Sequence, residues 1–315
     1  MSGRTAVLGA GLAGLTCARA LAEAGREVVV YDKSRGLGGR LAQRRAEGPS
    51  GEDLRFDHGA QYLTAETPEF RELLETLEAA GAAARWSPEG FDAKDRWVGL
   101  PGMSGLVRPL AAGLDIWAQK EAIAVELLAD GWHVGFADGA LEGPFEALAL
   151  ALPAPQAARL LPAAAEALEA VEMEPCWTLM VAFEAQPGGL PEAAAGDGPL
   201  AWIARNAAKP GRPGTECWVV QASPEWSREY LELDKAEACD ALLRLLGETG
   251  VAPRVDWAAA HRWRYARASK PLGAPVLEIE GPGGERAVLG GDWTLGVKAE
   301  HAFLSGRAMA ERLLA

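Results

Sequence analysis

Three glycines and one aspartate are the first residues of this chain whose types and spacing could do chemistry. "GAGLAG" at 9–14 follows the apolar run "TAVL" and opens the helix-patterned "LTCARALAEAG", and "EVVVYD" then ends in Asp32. The order is strand, glycine turn, helix, strand. Gly9 permits a tight turn, Gly11 lets the backbone approach a pyrophosphate, and Gly14 lets helix and strand pack closely. The N–H groups of the helix N-terminus then face phosphate oxygens, and Asp32 accepts from ribose hydroxyls. This is the chemistry of dinucleotide binding.

A second glycine cluster follows at once, in "YDKSRGLGGR" (31–40). A nicotinamide dinucleotide has no need of it. A dinucleotide that is longer at its functional end needs further donors along its pyrophosphate and ribityl chain. Gly36, Gly38 and Gly39 expose backbone N–H groups, and Arg35 or Arg40 can fork onto phosphate oxygens.

This stretch resembles the second flavin motif of the FAD-dependent amine oxidase superfamily, and "VLGGDWTLGVKAEHAFLSGRAMA" (288–310) resembles its closing flavin motif. The resemblance implies FAD held by Gly9, Gly11, Leu12, Ala13, Gly14, Asp32, Lys33, Arg35, Gly39, Arg40, Gly59, Ala60, Gln61, Gly291, Asp292 and Val297. In that mapping Asp292 meets the ribityl chain and the helix start at 297–300 faces the isoalloxazine. A helix N-terminus there stabilises a reduced, anionic flavin. Non-covalent binding is expected, because the last cysteine, Cys239, is far from "GGDWTLG"; His58 and His301 are the other conceivable attachment points.

Four further stretches, "FDHGAQYLTA" (56–65), "WVGLPGMSGLVRPLA" (97–111), "LAWIARNAAKPGR" (200–212) and "HRWRYARAS" (261–269), are similar to bacterial renalases, and the likeness spans nearly the whole chain. His58 stands where that family has an apolar residue. Membership would imply an α/β fold of the p-hydroxybenzoate-hydroxylase-like type: a Rossmann-like FAD-binding domain with an inserted α+β substrate domain. It would also imply a flavin oxidase that converts 2- and 6-dihydro isomers of NAD(P)H to NAD(P)+, with O2 reoxidising the flavin to give H2O2. Hydride transfer from a dihydronicotinamide needs positioning rather than a general base, and no Ser/His/Asp set or carboxylate pair announces one. Candidates to line the slot are His261, Trp293, Gln61, Tyr62 and Asn206, with Tyr265; Trp202 and Trp263 read as core packing, and His133 as a surface strand residue. Arg205, Lys209, Arg212, Arg264, Arg267 and Lys270 are candidates to meet the substrate's phosphates. Two rivals stay open: a FAD-dependent amine oxidase acting on a small amine, and a flavin-containing binding protein without turnover. An enzyme drawing on ordinary NADPH would want a second G-x-G-x-x-G unit, and none is present.

The 315 residues suffice for about two domains. Hydrophobic residues make up 49% and charged residues 24%, an ordinary globular balance. The net charge of −13 argues against a nucleic-acid or anionic-membrane partner, since both need a basic field. The expected partners are the small dinucleotide substrate and O2, and no protein partner is evident. The apolar N-terminus reads as strand and turn rather than as a signal peptide, and no run approaches a membrane span. Four scattered cysteines fit a reducing cytoplasm, and four histidines at 58, 133, 261 and 301 are too dispersed for a metal site.

Because flavin motifs lie at both ends, the domains are expected to interleave: 1–65, 97–155 and 286–315 for FAD, 66–96 and 156–285 for substrate. Local pattern predicts helices over 66–82, 156–171 and 234–249. It also predicts an antiparallel meander over 114–152, three strands within 175–223 and one at 254–266.

Overall fold

The computed structural model describes residues 3–89, 91–92, 94–250 and 254–315. In chain order it forms β1 (Thr5–Leu8), α1 (Leu12–Glu23), β2 (Val28–Asp32), β3 (Gln43–Glu47), β4 (Asp53–Asp57), α2 (Pro68–Ala79), β5 (Ala83–Arg85) and β6 (Trp97–Gly99). There follow α3 (Arg108–Ala111), β7 (Asp115–Ala118), β8 (Ala122–Leu128), β9 (Gly131–Phe136), β10 (Leu141–Phe145), β11 (Ala147–Leu150), α4 (Ala154–Leu160) and α5 (Ala165–Leu168). The remainder is β12 (Glu172–Phe183), β13 (Ala193–Ala195), β14 (Leu200–Arg205), β15 (Cys217–Ala222), α6 (Pro224–Glu229), α7 (Lys235–Glu248), β16 (Val255–Lys270), β17 (Leu277–Glu280), β18 (Arg286–Leu289) and α8 (Ala299–Leu314). Two compact units arise, each discontinuous in sequence: Met1–Gly39, Val107–Met173 and Arg267–Ala315 form the first, and Arg40–Leu106 and Glu174–Ala266 the second.

The first unit is α/β. Its six-stranded sheet has the order β17-β18-β11-β1-β2-β7, parallel throughout except for β17 at one edge. The central strands β1 and β11 are buried at every position because they are covered on both faces. Leu8, Val29, Tyr31, Leu148, Leu150 and Leu289 enter one core with Trp132, Val134, Phe136 and Phe145 from the β10-β9-β8 sheet. Helix α1 ends where expected: Gly25 takes φ +80° just past the Ala24 cap. Helix α8 packs tightly on α1, since a Cβ at Gly306 would lie 2.4 Å from the carbonyl of Ala13.

Two expectations fail here for physical reasons. Residues 115–118 do not belong to the meander; they pair in parallel with β2, as the sheet's edge strand. Half-exposed alternation reads the same in an edge strand as in an antiparallel one. The helix over 156–171 is broken into α4, a 3₁₀ turn and α5, because Pro162 cannot donate and keeps Leu161 extended (φ −125°, ψ 86°).

The second unit is built on the sheet β13-β14-β15-β12-β16. Alternation along β12 divides its side chains between two cores. Leu179 and Val181 face α7, packing with Leu242 and Leu246. Met180 and Ala182 face Leu54 and Phe56 of the β3–β4 hairpin. That hairpin was not foreseen, and β13 makes a fourth strand within 175–223, where three were expected. Asp234 starts α7 with a capping box to Glu237.

The divisions fall near 39, 106, 173 and 266, so residues 40–65 and 97–106 join the second unit while 156–173 and 267–285 join the first. Strands β12 and β16 run on through two of these divisions, which composition along the chain does not reveal. No helix is long and apolar enough to cross a membrane among the described residues.

Candidate functional site

In the first unit the glycine turn does what its spacing asks. Gly9 takes φ +107°, and a Cβ on Gly14 would lie 1.9 Å from the Gly9 carbonyl, so the turn closes on its own helix. Gly11 differs: its Cβ would meet nothing within 4 Å. The space in front of it is open to a ligand. Gly11 caps α1 with no side-chain bond, and the first turn carries no acid. The N–H groups of Leu12, Ala13 and Gly14 therefore point outward with the helix dipole behind them.

Asp32 is buried at the end of β2, its Oδ2 accepting from Ala10 N and its Oδ1 from Ser34 N, both at 2.7 Å. It ties the two glycine clusters to the strand end. Gly38 N donates to Ala10 O at 2.9 Å, and a parallel bridge joins Gly11 to Gly38. A Cβ on Gly39, where φ is +55°, would lie 3.5 Å from Gly11 Cα. The second cluster is thus docked on the first by its backbone, a structural task in addition to the donor role expected. Lys33 and Arg35 are exposed beside it.

At the C-terminal motif, Gly291 N donates to Ser305 Oγ at 3.0 Å, and a Cβ on Gly291 would lie 2.7 Å from Trp293 Nε1. Asp292 is buried and Val297 exposed just before α8. Trp293, expected to line a slot, is instead a core residue with no exposed surface, its Nε1 donating to Leu152 O at 2.9 Å.

The second unit holds a buried charge cluster at the end of β4. Asp57 Oδ2 accepts from Arg212 Nε at 3.0 Å and Nη2 at 2.5 Å, with Lys209 Nζ at 3.5 Å. Its Oδ1 accepts from Met103 N at 3.0 Å. Burial alone would raise the Asp57 carboxyl, but the Lys209 ammonium and the Arg212 guanidinium outweigh it and hold the group below its usual value. Burial brings Lys209 down to about 8, against the pull of Asp57. Lys209 donates to Gln61 Oε1 at 3.0 Å, while Gln61 Nε2 donates to the carbonyls of Asp57 and Gly59.

Several expectations are corrected by this cluster. Asn206 is fully buried and its amide is committed, accepting from Asp57 N at 3.3 Å and donating to Arg55 O at 2.8 Å. It latches the hairpin rather than lining a slot. Lys209 and Arg212 serve Asp57, not an external phosphate. Arg205 pairs with Glu216, Arg264 with Glu232 and Lys270 with Glu172. Arg40 also lies in this unit, its Nη1 donating to Ala266 O at 2.9 Å and its carbonyl accepting from Ala60 N. Gly59 allows that approach, since a Cβ there would lie 2.0 Å from Arg40 O.

His58 and His261 meet edge to face at 4.8 Å, and both contact the Trp263 ring, whose Nε1 donates to His58 O. Burial lowers both imidazoles to about 4. His58 Nδ1 is buried without a partner. Tyr62 is half-buried among Trp86 at 6.2 Å and Trp202 at 5.6 Å, with the Arg96 guanidinium 5.0 Å from its ring. Sequence reasoning missed Asp57, Trp86, Phe91 and Arg96. The one available signal was Asp57 directly after the alternation of Leu54 and Phe56 in "LRFDHGA".

Residues 7–77 match the model of the NAD(P)-binding Rossmann-like domain, and residues 77–314 match that of the flavin containing amine oxidoreductases. The chain belongs to the flavin containing amine oxidoreductase family. Among solved structures it is similar to the one described as "Putative protoporphyrinogen oxidase from Exiguobacterium sp. 255-15", with a TM-score of 0.76, 13% identity and 99% of each chain covered. That likeness concerns the fold. Family membership brings a flavin cofactor, and the residues fit one. The open face of Gly11, the uncapped α1 N-terminus and Asp32 suit a dinucleotide's phosphates and ribose, and no atom lies within 4 Å of where a Gly11 Cβ would stand.

Proposed function

We propose that this flavin oxidoreductase is a renalase-like oxidase that converts 2- and 6-dihydro isomers of NAD(P)H to NAD(P)+. One observation carries the reading. The four renalase-like stretches, far apart in sequence, meet in the second unit: Asp57 and Gln61 from the first, Met103 from the second, Asn206, Lys209 and Arg212 from the third, with His261 and Trp263 of the fourth against His58.

Non-covalently bound FAD would supply the hydride acceptor and pass the electron pair to O2, giving H2O2. The chain's own residues bind and orient. The N–H groups of residues 12–14 hold phosphate, Asp32 takes ribose hydroxyls, and exposed Lys33 and Arg35 screen the pyrophosphate charge. Asp292 and the α8 start serve the flavin end. Gln61 is held in one orientation by three hydrogen bonds, so its turn presents a fixed edge. His261 and Tyr62 keep exposed surface for a substrate ring. Imidazoles near 4 are weak bases at neutral pH, which suits a reaction that removes hydride and needs no base.

The rival on the same fold is oxidation of a small amine. An aromatic cage is present around Tyr62, but its cation positions are taken: Arg96 sits 5.0 Å from Tyr62 and 4.5 Å from Phe91, and Lys209 5.4 Å from Trp86. A further ammonium would be repelled. None of the four cysteines is in a disulfide, which fits a reducing cytoplasm. Aerobic turnover tests the reading, with 2- and 6-dihydroNAD, NADH and a panel of primary and secondary amines assayed for peroxide. The dihydro isomers should give about one peroxide per turnover. Turnover of amines alone would transfer the chain to the amine oxidases, and no turnover of any of them would leave a flavin-binding protein.

A further inference from the structure

Most of the cations expected to meet the substrate's phosphates are claimed by the protein itself. Asp57 takes Lys209 and Arg212, Glu216 takes Arg205, Glu232 takes Arg264 and Glu172 takes Lys270. In a chain of net charge −13 a cation left without a carboxylate is the exception. Arg44, on β3, is one. It is exposed, and its guanidinium has no hydrogen-bond acceptor and no ion-pair partner among the described residues. Its central carbon lies 5.7 Å from the centre of the Trp257 ring. A guanidinium lying over an indole keeps its N–H edge free for an anion.

The surroundings fix where that edge stands. Arg44 is paired across the hairpin with Phe56, which stacks on Trp257 at 5.0 Å. Alternation along β16 sends Trp257 and Ala259 towards this hairpin, and Ala258 and Ala260 towards α7. His261 shares the hairpin side, 4.8 Å from His58 and 4.4 Å from Trp263. The charged groups that bear on His261, besides His58, are Lys235 at the start of α7 and Arg44; no carboxylate is among them. Lys235 is exposed and also lacks an ion-pair partner among the described residues. The other face of the same strand gives the contrast, since Arg262 and Arg264 are both neutralised by Glu232. Two bare cations thus converge on the side chain already assigned to the substrate ring. Their joint field attracts an anion there.

We propose that Arg44, with Lys235 at the margin, takes a phosphate group of the substrate beside His261. The guanidinium forks onto phosphate oxygens, and the ammonium adds a second positive charge. That this phosphate belongs to a dihydronicotinamide dinucleotide rests on the reading above; the anion chemistry does not.

The test uses the flavin-loaded full chain, so that the dinucleotide turn of the first unit is filled. Inorganic pyrophosphate is titrated by tryptophan fluorescence, and the KM for dihydroNAD is measured alongside. Arg44→Gln should weaken pyrophosphate binding at least about fivefold and raise KM by a similar factor with kcat nearly unchanged, the mark of a contact made equally in ground and transition states. Arg44→Lys keeps the charge and should recover part of the loss. Arg45→Gln is the control: the next residue of β3 points to the other face of the hairpin, so its loss should change neither quantity. A wild-type chain that binds no pyrophosphate at millimolar concentration overturns the site. So do equal losses in Arg44→Gln and Arg45→Gln, which would mark diffuse charge alone, and so does an unchanged KM in Arg44→Gln. The two readings fail separately. Pyrophosphate binding that depends on Arg44, without turnover of dihydroNAD, removes the substrate assignment alone; turnover without such binding removes the site alone. If Arg44→Gln does not fold, Lys235→Gln decides: a loss of about twofold or more supports the site, and no loss overturns it.

Discussion

Arg212 places both Nε and Nη2 on a single oxygen of Asp57, at 3.0 and 2.5 Å, and neither side chain retains exposed surface. Lys209 approaches the same oxygen at 3.5 Å. Two cations on one anion leave a buried excess of positive charge, which only Asp57 makes tolerable. The carboxylate therefore holds together the end of β4, the turn at 57–61 and the 206–212 segment, which carry most of the candidate site.

Asp57→Asn should be strongly destabilising despite its near-identical shape. Removing one partner from a buried ion pair costs about 3–5 kcal/mol, because the remaining charges stay uncompensated. Urea unfolding of the purified variant measures this. A loss below about 1 kcal/mol would mean that the cluster is solvated and not the anchor described.

The glycine turn separates folding from binding. Gly14→Ala should cost about 1–3 kcal/mol, as its Cβ would fall 1.9 Å from the Gly9 carbonyl. Gly11→Ala meets nothing within 4 Å, so the variant should fold with near-wild-type stability yet bind flavin at least about tenfold more weakly. Thermal melts of the flavin-free forms and flavin titrations read the two effects apart. Equal flavin affinity in Gly11→Ala would show that no phosphate approaches there.

Acid should weaken the fold in a defined window. His58 and His261 are lowered to about 4 from the ordinary 6.5. Between those values the unfolded chain binds more protons than the folded one, so stability rises with pH and is lost as pH falls from 6.5 towards 4. His58→Leu removes one of the two groups and a buried Nδ1 without a partner. It should be no less stable than wild type at pH 7 and should lose less stability at pH 4.5. Parallel loss in both proteins would place the acid sensitivity elsewhere.

The dinucleotide half of the fold was legible because its signals are local. Turn glycines, buried strands and an acid at a strand end fix each other over about thirty residues, and "GAGLAG" through Asp32 folds as its spacing requires. The β3–β4 hairpin was not legible. "QRRAE" and "DLRFD" are too charged to look like strands, and only the cover that Leu54 and Phe56 give to Met180 and Ala182 makes them so. The roles within the site were hidden for the same reason. Asn206, Lys209 and Arg212 have types that suit substrate binding, and only tertiary contact shows that Asp57 claims them. Trp293 follows a glycine turn at a strand end, a place that faces ligands in many sheets, yet its indole turns inward to Leu152 O.

Anaerobic mixing with 6- and 2-dihydroNAD, followed by flavin absorbance, tests the central claim most directly. The account predicts rapid bleaching by at least one dihydro isomer, much slower bleaching by ordinary NADH, and recovery of colour with peroxide once O2 is admitted. His261→Ala should slow the bleaching without releasing flavin. Rapid bleaching by common amines with none by either isomer would contradict it.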